Sequence, residues 1–466
     1  MADTEKAEAT TTRHPIDIVS GSRKNAEDKH LQPTPSLLST TTTPGTLTTL
    51  HDRTSPHAER ALCRKLDTHI LPLLTLMYLF NALDKSNLGN AKTAGLEKDL
   101  HMIGTNDYNI LLSIFFVPYV LTAPFLGVVG KMYGPIYRRG ELARRLAIFY
   151  AASNIAYAFG GLLAFGVFHI KSGSLPSWKY LFVIEGALSM GMAVIAFIFL
   201  PRSAAEATFL TGAEKELAFY RIQVDSSAIV NEKFNLREAS RILRHWTSWL
   251  ILAIEMCLGI PLQSVSLFLP QIVARLGYST VKTNLYTVAP NITGAVMLLV
   301  LAFASDYTRW RFPFVALGFL FTFCGMIIYA SIDVKHDLHV AYFACFMMTW
   351  GTSAPSVLLD VWYNNNIADE NRRLFLTTLG VPIANLMGVV SSNVFRNQDA
   401  PQYIPALATT AAFGATGLVL TLVLGGYMIM DNKRRDRKQG VRLRARDVAT
   451  ERLREGPDCV EFRWVY

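Results

Sequence analysis

The sequence predicts an all-α polytopic membrane protein, two helix bundles with ten crossings in total, and three observations carry that prediction. Of the 466 residues, 51% are hydrophobic and only 17% charged, against about 25% charge in a soluble domain. The apolar residues fall in runs near the ~20 needed to cross bilayer hydrocarbon. Connections rich in Lys and Arg alternate with connections poor in them, as the positive-inside rule requires of a multi-pass chain.

Taken in order, residues 1–60 are polar and rich in Thr, Ser and Pro, with the run Ser39 to Pro44 as the extreme. Such a stretch buries too little apolar surface to order, so a disordered cytoplasmic tail is expected. It shows no basic n-region, apolar core and cleavage site, which leaves the first span to act as the targeting signal. Four spans are expected at about 68–84, 109–130, 146–169 and 180–200, within a first bundle covering 61–200. The connection 201–246 carries Glu214, Lys215, Glu216, Arg221, Asp225, Glu232, Lys233, Arg237 and Glu238. Its mixed charge and amphipathic pattern predict surface helices hinging two bundles. Six further spans follow at about 248–270, 284–304, 313–332, 339–359, 375–394 and 405–429, within 247–430, and a basic tail closes the chain at 431–466.

Basic residues crowd before the first span (Arg60, Arg64, Lys65), after the second (Lys131, Arg138, Arg139, Arg144, Arg145) and after the last (Lys433, Arg434, Arg435, Arg437, Lys438). Between spans three and four only Lys171 and Lys179 appear, between five and six only Arg275 and Lys282, and between nine and ten only Arg396. Both termini are therefore expected in the cytoplasm. The net charge of +9 sits at span ends, where lipid and insertion explain it better than nucleic acid. Cys257, Cys324 and Cys345 lie in apolar runs and Cys63 and Cys459 outside them, which gives neither a disulfide framework nor metal-ligand spacing. No Ser-His-Asp arrangement, P-loop or paired-His helix is present, so neither an enzyme nor an ATP-driven pump is expected, and no cofactor.

The segment Phe80-Asn81-Ala82-Leu83-Asp84-Lys85-Ser86-Asn87-Leu88-Gly89-Asn90-Ala91 resembles the anion:cation symporter family of fungal major facilitator transporters. Trp178 to Gly186 and Ser392 to Pro401 extend the likeness, which covers nearly everything from about 60 to 435. Within that family Asn81 to Gly95 is most similar to the nicotinate-permease branch, with carriers of allantoate, pantothenate and other carboxylates as relatives. The resemblance implies a major facilitator fold of two pseudo-symmetric bundles and uptake of a small organic anion with a proton. It further implies a monomer in the lipid bilayer, with the plasma membrane the expected location. The superfamily's gating-loop pattern resembles Gly127, Lys131 and Gly134 after the second span, with a second copy at Asp306, Arg309 and Arg311 after the sixth. In such loops glycines let helix ends approach while charges bond across the interface.

The two halves should be equivalent repeats, yet six spans face four. Gly134-Pro135 runs directly into Ile136 to Arg145, which resembles the family's loop before its fifth helix. Family helices three and four, about 50 residues, are thus expected to be missing. Both flanking loops lie on the same side, so topology survives. The first half is expected to hold an open groove exposing polar faces of spans one and three. The helix that would supply a basic anchor for a carboxylate is absent, and no residue of this chain is expected to take that role.

Ionisable residues inside spans usually face a cavity. Glu255 lies mid-span, Asp84 and Lys85 are read as the end of the first span, Glu185 lies a turn into the fourth, and Asp360 is read as capping the eighth. Any of the carboxylates suits the coupling proton. The expected substrate and proton pathway comprises Asn81, Asp84, Glu255, Gln263, Trp350 and Asn385, with Asn154, Tyr157, Ser264, Ser266 and Asn291 as further polar groups and Trp350 as a platform for a pyridine ring. The competing class is a non-transporting membrane protein, either a nutrient receptor or an inactive truncated product.

Overall fold

The structure is a computed structural model that describes residues 56–466 except 103, 105, 133–141, 171–174, 202, 205, 226–234, 444–447 and 449–454. The expected disordered tail therefore lies almost wholly outside the described residues. Helix α1 (Pro56–His69) leads into α2 (Leu71–Thr93), followed by α3 (Asp107–Met132), α4 (Leu142–Val167) and α5 (Ser177–Phe199). A surface helix α6 (Gly212–Asp225) precedes the second set: α7 (Trp246–Ala274), α8 (Val288–Thr308), α9 (Phe312–Ser331), α10 (Leu338–Asn365), α11 (Glu370–Val394) and α12 (Ile404–Gln439). Eight described helices are long and apolar enough to cross a membrane. The other two expected spans coincide with α3, whose described apolar stretch is Asp107–Thr122, and with α10. Thr349, Thr352, Ser353 and Asp360 of α10 are all buried. A helix wrapped by α7, α8, α9 and α4 meets protein rather than lipid, so it tolerates polar residues that a lipid-facing span would not.

Packing divides unevenly between the halves. In the second set α9 packs on α10 and α12, and α7 on α10, α11 and α12. The two large apolar clusters centre there, around Val315, Phe319 and Leu358 on one side and Phe268, Met326 and Tyr329 on the other. In the first set α2 packs on α4 and α5, joined by two small clusters around Leu83 and Leu181. Helix α3 instead lies chiefly against α11, while α4 lies against α8 and α2 touches α7. Only the nine residues 133–141 separate α3 from α4, too few for another crossing.

Two expectations change in the first half. Span one was expected to end near Asp84, but α2 continues to Thr93, which puts Asp84 and Lys85 well inside it; the two charges find partners on α5 and α7 and so need not mark a solvated end. Met77, Asn81 and Asp84, spaced four and three residues apart, form an exposed stripe on α2. Span three does not expose a polar face. Its exposed residues Ile148, Ile155, Phe159 and Leu162 are apolar, while Asn154 is buried because it accepts a hydrogen bond from Ser353 of α10 at 3.0 Å.

One face of the bundle carries α1, α6 and the C-terminal segment, here called the terminal face. There Leu62, Leu66 and Ile70 pack with Leu210, Leu217 and Ala218. Thr211 and Glu214 form a reciprocal cap at the start of α6: Glu214 accepts from the Thr211 N–H at 2.9 Å, and its own N–H reaches the Thr211 hydroxyl at 3.4 Å. Lys65 donates to Glu214 at 2.5 Å, and this bond, with the Thr211 N–H, holds the Glu214 carboxyl below its usual range. A depressed folded pKa means stability that is present above the unfolded value of about 4.3 and lost as pH falls through the folded one. Acidification through pH 4 is therefore expected to lower the hydrogen-exchange protection factors of α6, corrected for the intrinsic pH dependence of exchange, and Glu214→Gln to remove that loss by giving low protection at every pH.

The C-terminal segment, expected as a basic cytoplasmic tail, folds back onto the same face. Trp464 is buried and donates from Nε1 to Asp431 at 2.8 Å. Asn432 donates to the Trp464 carbonyl and accepts from its N–H, and Asn366 does the same with Val465. Arg463, 2% exposed, lies against Asp436 at 2.9 Å. The segment thus straps the ends of α10 and α12 together. Trp464→Ala is expected to release residues 456–466, because removing a buried Trp costs about 3 kcal/mol or more. Exchange protection of that segment should collapse while the protection of α9 stays unchanged.

Candidate functional site

A central cavity opens between the two sets of helices. It is lined by Tyr78, Asn81 and Lys85 of α2, Tyr150, Asn154 and Tyr157 of α4, Glu255, Gln263 and Ser266 of α7, Thr352, Ser353 and Asp360 of α10, and Asn385 of α11. Their positions along the helices place it between the middle of the bundle and the terminal face. Beyond it, towards the opposite face, the sets close on each other. Gly89 of α2 sits against the Leu267 carbonyl, where a Cβ would lie 2.5 Å from the oxygen, and Gly388 of α11 sits under the Phe116 ring. Asn284 donates to Thr93 at 3.3 Å, and Asn393 to Ser113 at 3.2 Å.

The polar chain in the cavity begins at Lys85. Its ammonium donates to Gln263 Oε1 at 2.7 Å and lies over the Phe116 ring at 5.3 Å. Gln263 Nε2 then donates to Asn385 Oδ1 at 3.1 Å, and Asn385 to the Val381 carbonyl at 2.9 Å. One side chain from each of α2, α7 and α11 thus joins a line that crosses between the sets. The ammonium is the natural partner for an anion, and the two amides offer both donors and acceptors around it.

Eight residues along α7 from Gln263, about 12 Å at 1.5 Å per residue, stands Glu255. It is 3% exposed, and no described group bonds its Oε1. Its carboxyl faces that of Asp360, which also accepts from the Tyr363 hydroxyl at 2.7 Å. Asp360 was expected to cap the end of its span. Helix α10 instead runs on to Asn365, so Asp360 is buried at the cavity's edge, held by the hydroxyl and by Tyr150 beside it. A cap must sit at the last turn, and this residue lies more than a turn inside it.

The remaining expected residues separate. Asn81 lines the cavity although it is exposed on its other side. Asp84 points away, accepting from Ser189 of α5 at 2.7 Å. Trp350 is not part of the lining; it donates to Thr293 at 3.0 Å and packs against Phe321, Phe343 and Phe346. Its ring is turned to Thr293 of α8 and Phe321 of α9 instead, so it offers no platform for a bound ring. Glu185, buried, accepts from Asn87 and bridges α5 to α2 as structural glue.

The expected gating loops fare differently. Asp306 and Arg311 form an ion pair at 2.9 Å, both side chains largely buried, and Arg309 adopts a left-handed conformation at φ 60° as α8 ends. Gly127 and Lys131 fall within α3, but the Lys131 side chain and Gly134 lie outside the described residues. Lys85 is the residue that sequence reasoning passed over. The run Leu88, Gly89 and Ala91 beyond it was the available signal, obscured by ending the span at Asp84, nine residues before α2 ends.

The model of the Major Facilitator Superfamily matches residues 134–372. The chain belongs to this superfamily. An uncharacterized transporter of Schizosaccharomyces pombe is 48% identical, with 87% of this chain and 90% of the relative covered. The high-affinity nicotinic acid transporter of Saccharomyces cerevisiae is 25% identical, covering 88% and 85%. Among solved structures, a bacterial homolog of the human lysosomal transporter Spinster, in an inward-facing and unoccupied conformation, shares the fold with a TM-score of 0.51 at 12% identity, covering 78% of this chain and 98% of that one. The protein is thus a multi-pass membrane transporter of major facilitator type.

The close approach at Gly89 gives a direct test of how the far end is sealed. Gly89→Ala forces a methyl against the Leu267 carbonyl and is expected to cost about 1–3 kcal/mol. Thermal unfolding of the purified protein should register the loss, and Gly186→Ala, at a position with open space around it, should not.

Proposed function

We propose that the complete form of this transporter imports a small organic anion such as nicotinate together with a proton. The observation that carries the reading is the cavity in which the Lys85 ammonium, bonded to Gln263 and Asn385, shares a wall with the facing carboxyls of Glu255 and Asp360. Lys85 and the amides would hold the substrate carboxylate. The carboxyl pair would hold the proton, which removes the repulsion between two like charges in a low-dielectric site. A monocarboxylate entering against an inside-negative potential is opposed by about 2.3 kcal/mol per 100 mV; a proton moving with it makes the step electroneutral. The likeness to the nicotinic acid transporter of Saccharomyces cerevisiae supports the substrate class. The excess of Lys and Arg on the terminal face supports cytoplasmic termini and a cavity open to the cytosol, in a monomer of the plasma membrane.

A second reading concerns this chain as it stands, and the exposed stripe Met77, Asn81 and Asp84 favours it. The alignment with the Schizosaccharomyces pombe relative spans 458 residues, whereas 87% of 466 is about 405. About 50 positions of the alignment therefore have no counterpart here, in keeping with a missing helix pair between α3 and α4. With a wall of the cavity open, the 466-residue form is proposed to transport poorly.

Uptake of labelled nicotinate in cells lacking their own permease tests both readings. A form with the helix pair restored from the relative should take up substrate faster at pH 5 than at pH 7, and the short form should stay near background. In the restored form Lys85→Met should lower uptake about tenfold or more, consistent with losing a charged hydrogen bond of about 1.5–3 kcal/mol. Glu255→Gln should abolish the stimulation by acid. No uptake of nicotinate or related carboxylates by the restored form would refute the substrate class, and equal rates at the two pH values would refute proton coupling.

A further inference from the structure

The last helix outlasts the bilayer. Its 36 residues measure about 54 Å at 1.5 Å per residue, against about 30 Å of hydrocarbon, so its final turns stand in the headgroup region. Those turns have two unlike faces. Asp431, Asn432, Arg435, Asp436 and Gln439 hold the C-terminal segment. On the other face Met430, Lys433, Arg434, Arg437 and Lys438 line one shallow groove, spaced three, four, seven and eight residues from Met430.

The charges on the two faces are treated differently. Arg435 has Asp431 at 2.7 Å and Arg463 has Asp436 at 2.9 Å. The four cations of the groove have no ion pair among the described residues, and the acids nearest in sequence are already turned to the strap. Below them, Val419, Leu422, Val423 and Met430 are exposed and apolar, and Gly426 leaves open space on the same side. The spacing of Val419, Val423, Gly426, Met430, Arg434 and Arg437 traces one continuous stripe of the helix, apolar where the bilayer core lies and cationic where it ends.

We infer that this groove is a binding site for an anionic phospholipid, the phosphate and its second acid held by Lys433, Arg434, Arg437 and Lys438 and an acyl chain laid along Met430, Val423 and Val419. A free anion would use only the upper part of the stripe and a neutral lipid only the lower; the continuous pattern matches a molecule with both. Four cations gathered at one anionic headgroup each add to its attraction, so the preference for anionic over zwitterionic lipid is expected to be about tenfold or more.

The test uses the full chain purified in a neutral detergent and titrated with short-chain phosphatidylserine, short-chain phosphatidylcholine or inorganic phosphate, with bound lipid counted by native mass spectrometry. Phosphatidylserine should bind about tenfold or more tightly than phosphatidylcholine, and millimolar phosphate should not displace it. The variant K433Q/R434Q/R437Q/K438Q should lose the preference while retaining the melting temperature of the parent in detergent. Should that variant fail to fold, the pairs K433Q/R434Q and R437Q/K438Q should each lose part of it. Equal binding of the two lipids, a preference that survives all four substitutions, or displacement by phosphate alone would overturn the inference. So would a groove filled by a second copy of the chain, seen as a dimer that the quadruple variant dissolves.

Discussion

A charged side chain in the middle of a membrane bundle is tolerated only when its neighbours satisfy it, and the meeting of Lys85 with Gln263 and Asn385 is the point on which this architecture turns. The ammonium cannot face lipid, so α2 is held with its polar side towards α7 and α11. That orientation brings Asn81 to the cavity and Gly89 against the Leu267 carbonyl. It also leaves the neighbouring Asp84 on the other side, where Ser189 of α5 meets it. One buried ion thereby sets the rotation of a helix, and the helix sets the shape of the cavity.

The same economy of partners explains why the two halves differ. The second set carries buried polar residues on α10 and packs that helix against α7, α8 and α9. The first set has fewer helices to do this, and its members lean outward for support: α3 on α11, α4 on α8 and α10. Asn154 finds its donor, Ser353, across the interface rather than within its own half. Contacts between the halves therefore satisfy polar groups of the first set, as Asn154 shows. In a transporter of this superfamily, where the halves must part and rejoin, that arrangement binds together surfaces that ought to separate.

On the terminal face the strap formed by residues 455–466 joins α10 to α12 through Asn366, Asn432 and Asp431. Trp362, two residues from Asp360, also donates to the Val465 carbonyl. The end of the chain is thus mechanically continuous with the helix that carries half of the carboxyl pair, which makes the position of that pair depend on a segment remote from it in sequence.

The sequence by itself determined the class of fold, the succession of apolar spans and the surface helices between the halves. Each of these rests on local quantities, hydropathy over about 20 residues and the charge of the connections, which survive without knowledge of neighbours. It also pointed to Glu255, Gln263 and Asn385, since polar groups inside apolar runs stand out on composition alone. What only the tertiary structure decided was where helices end and which way they face. Asp84, Lys85 and Asp360 look in sequence like residues at span ends, because a charge next to an apolar run reads as its boundary. Partners from other helices carry the spans past them. Trp350 and Asp84 sit beside the right residues in sequence but are turned to other helices rather than to the cavity, and the docking of Trp464 depends on pairings across more than thirty residues. Rotation about a helix axis is set by what packs against it, and that information lies in the partner helices rather than in the span itself.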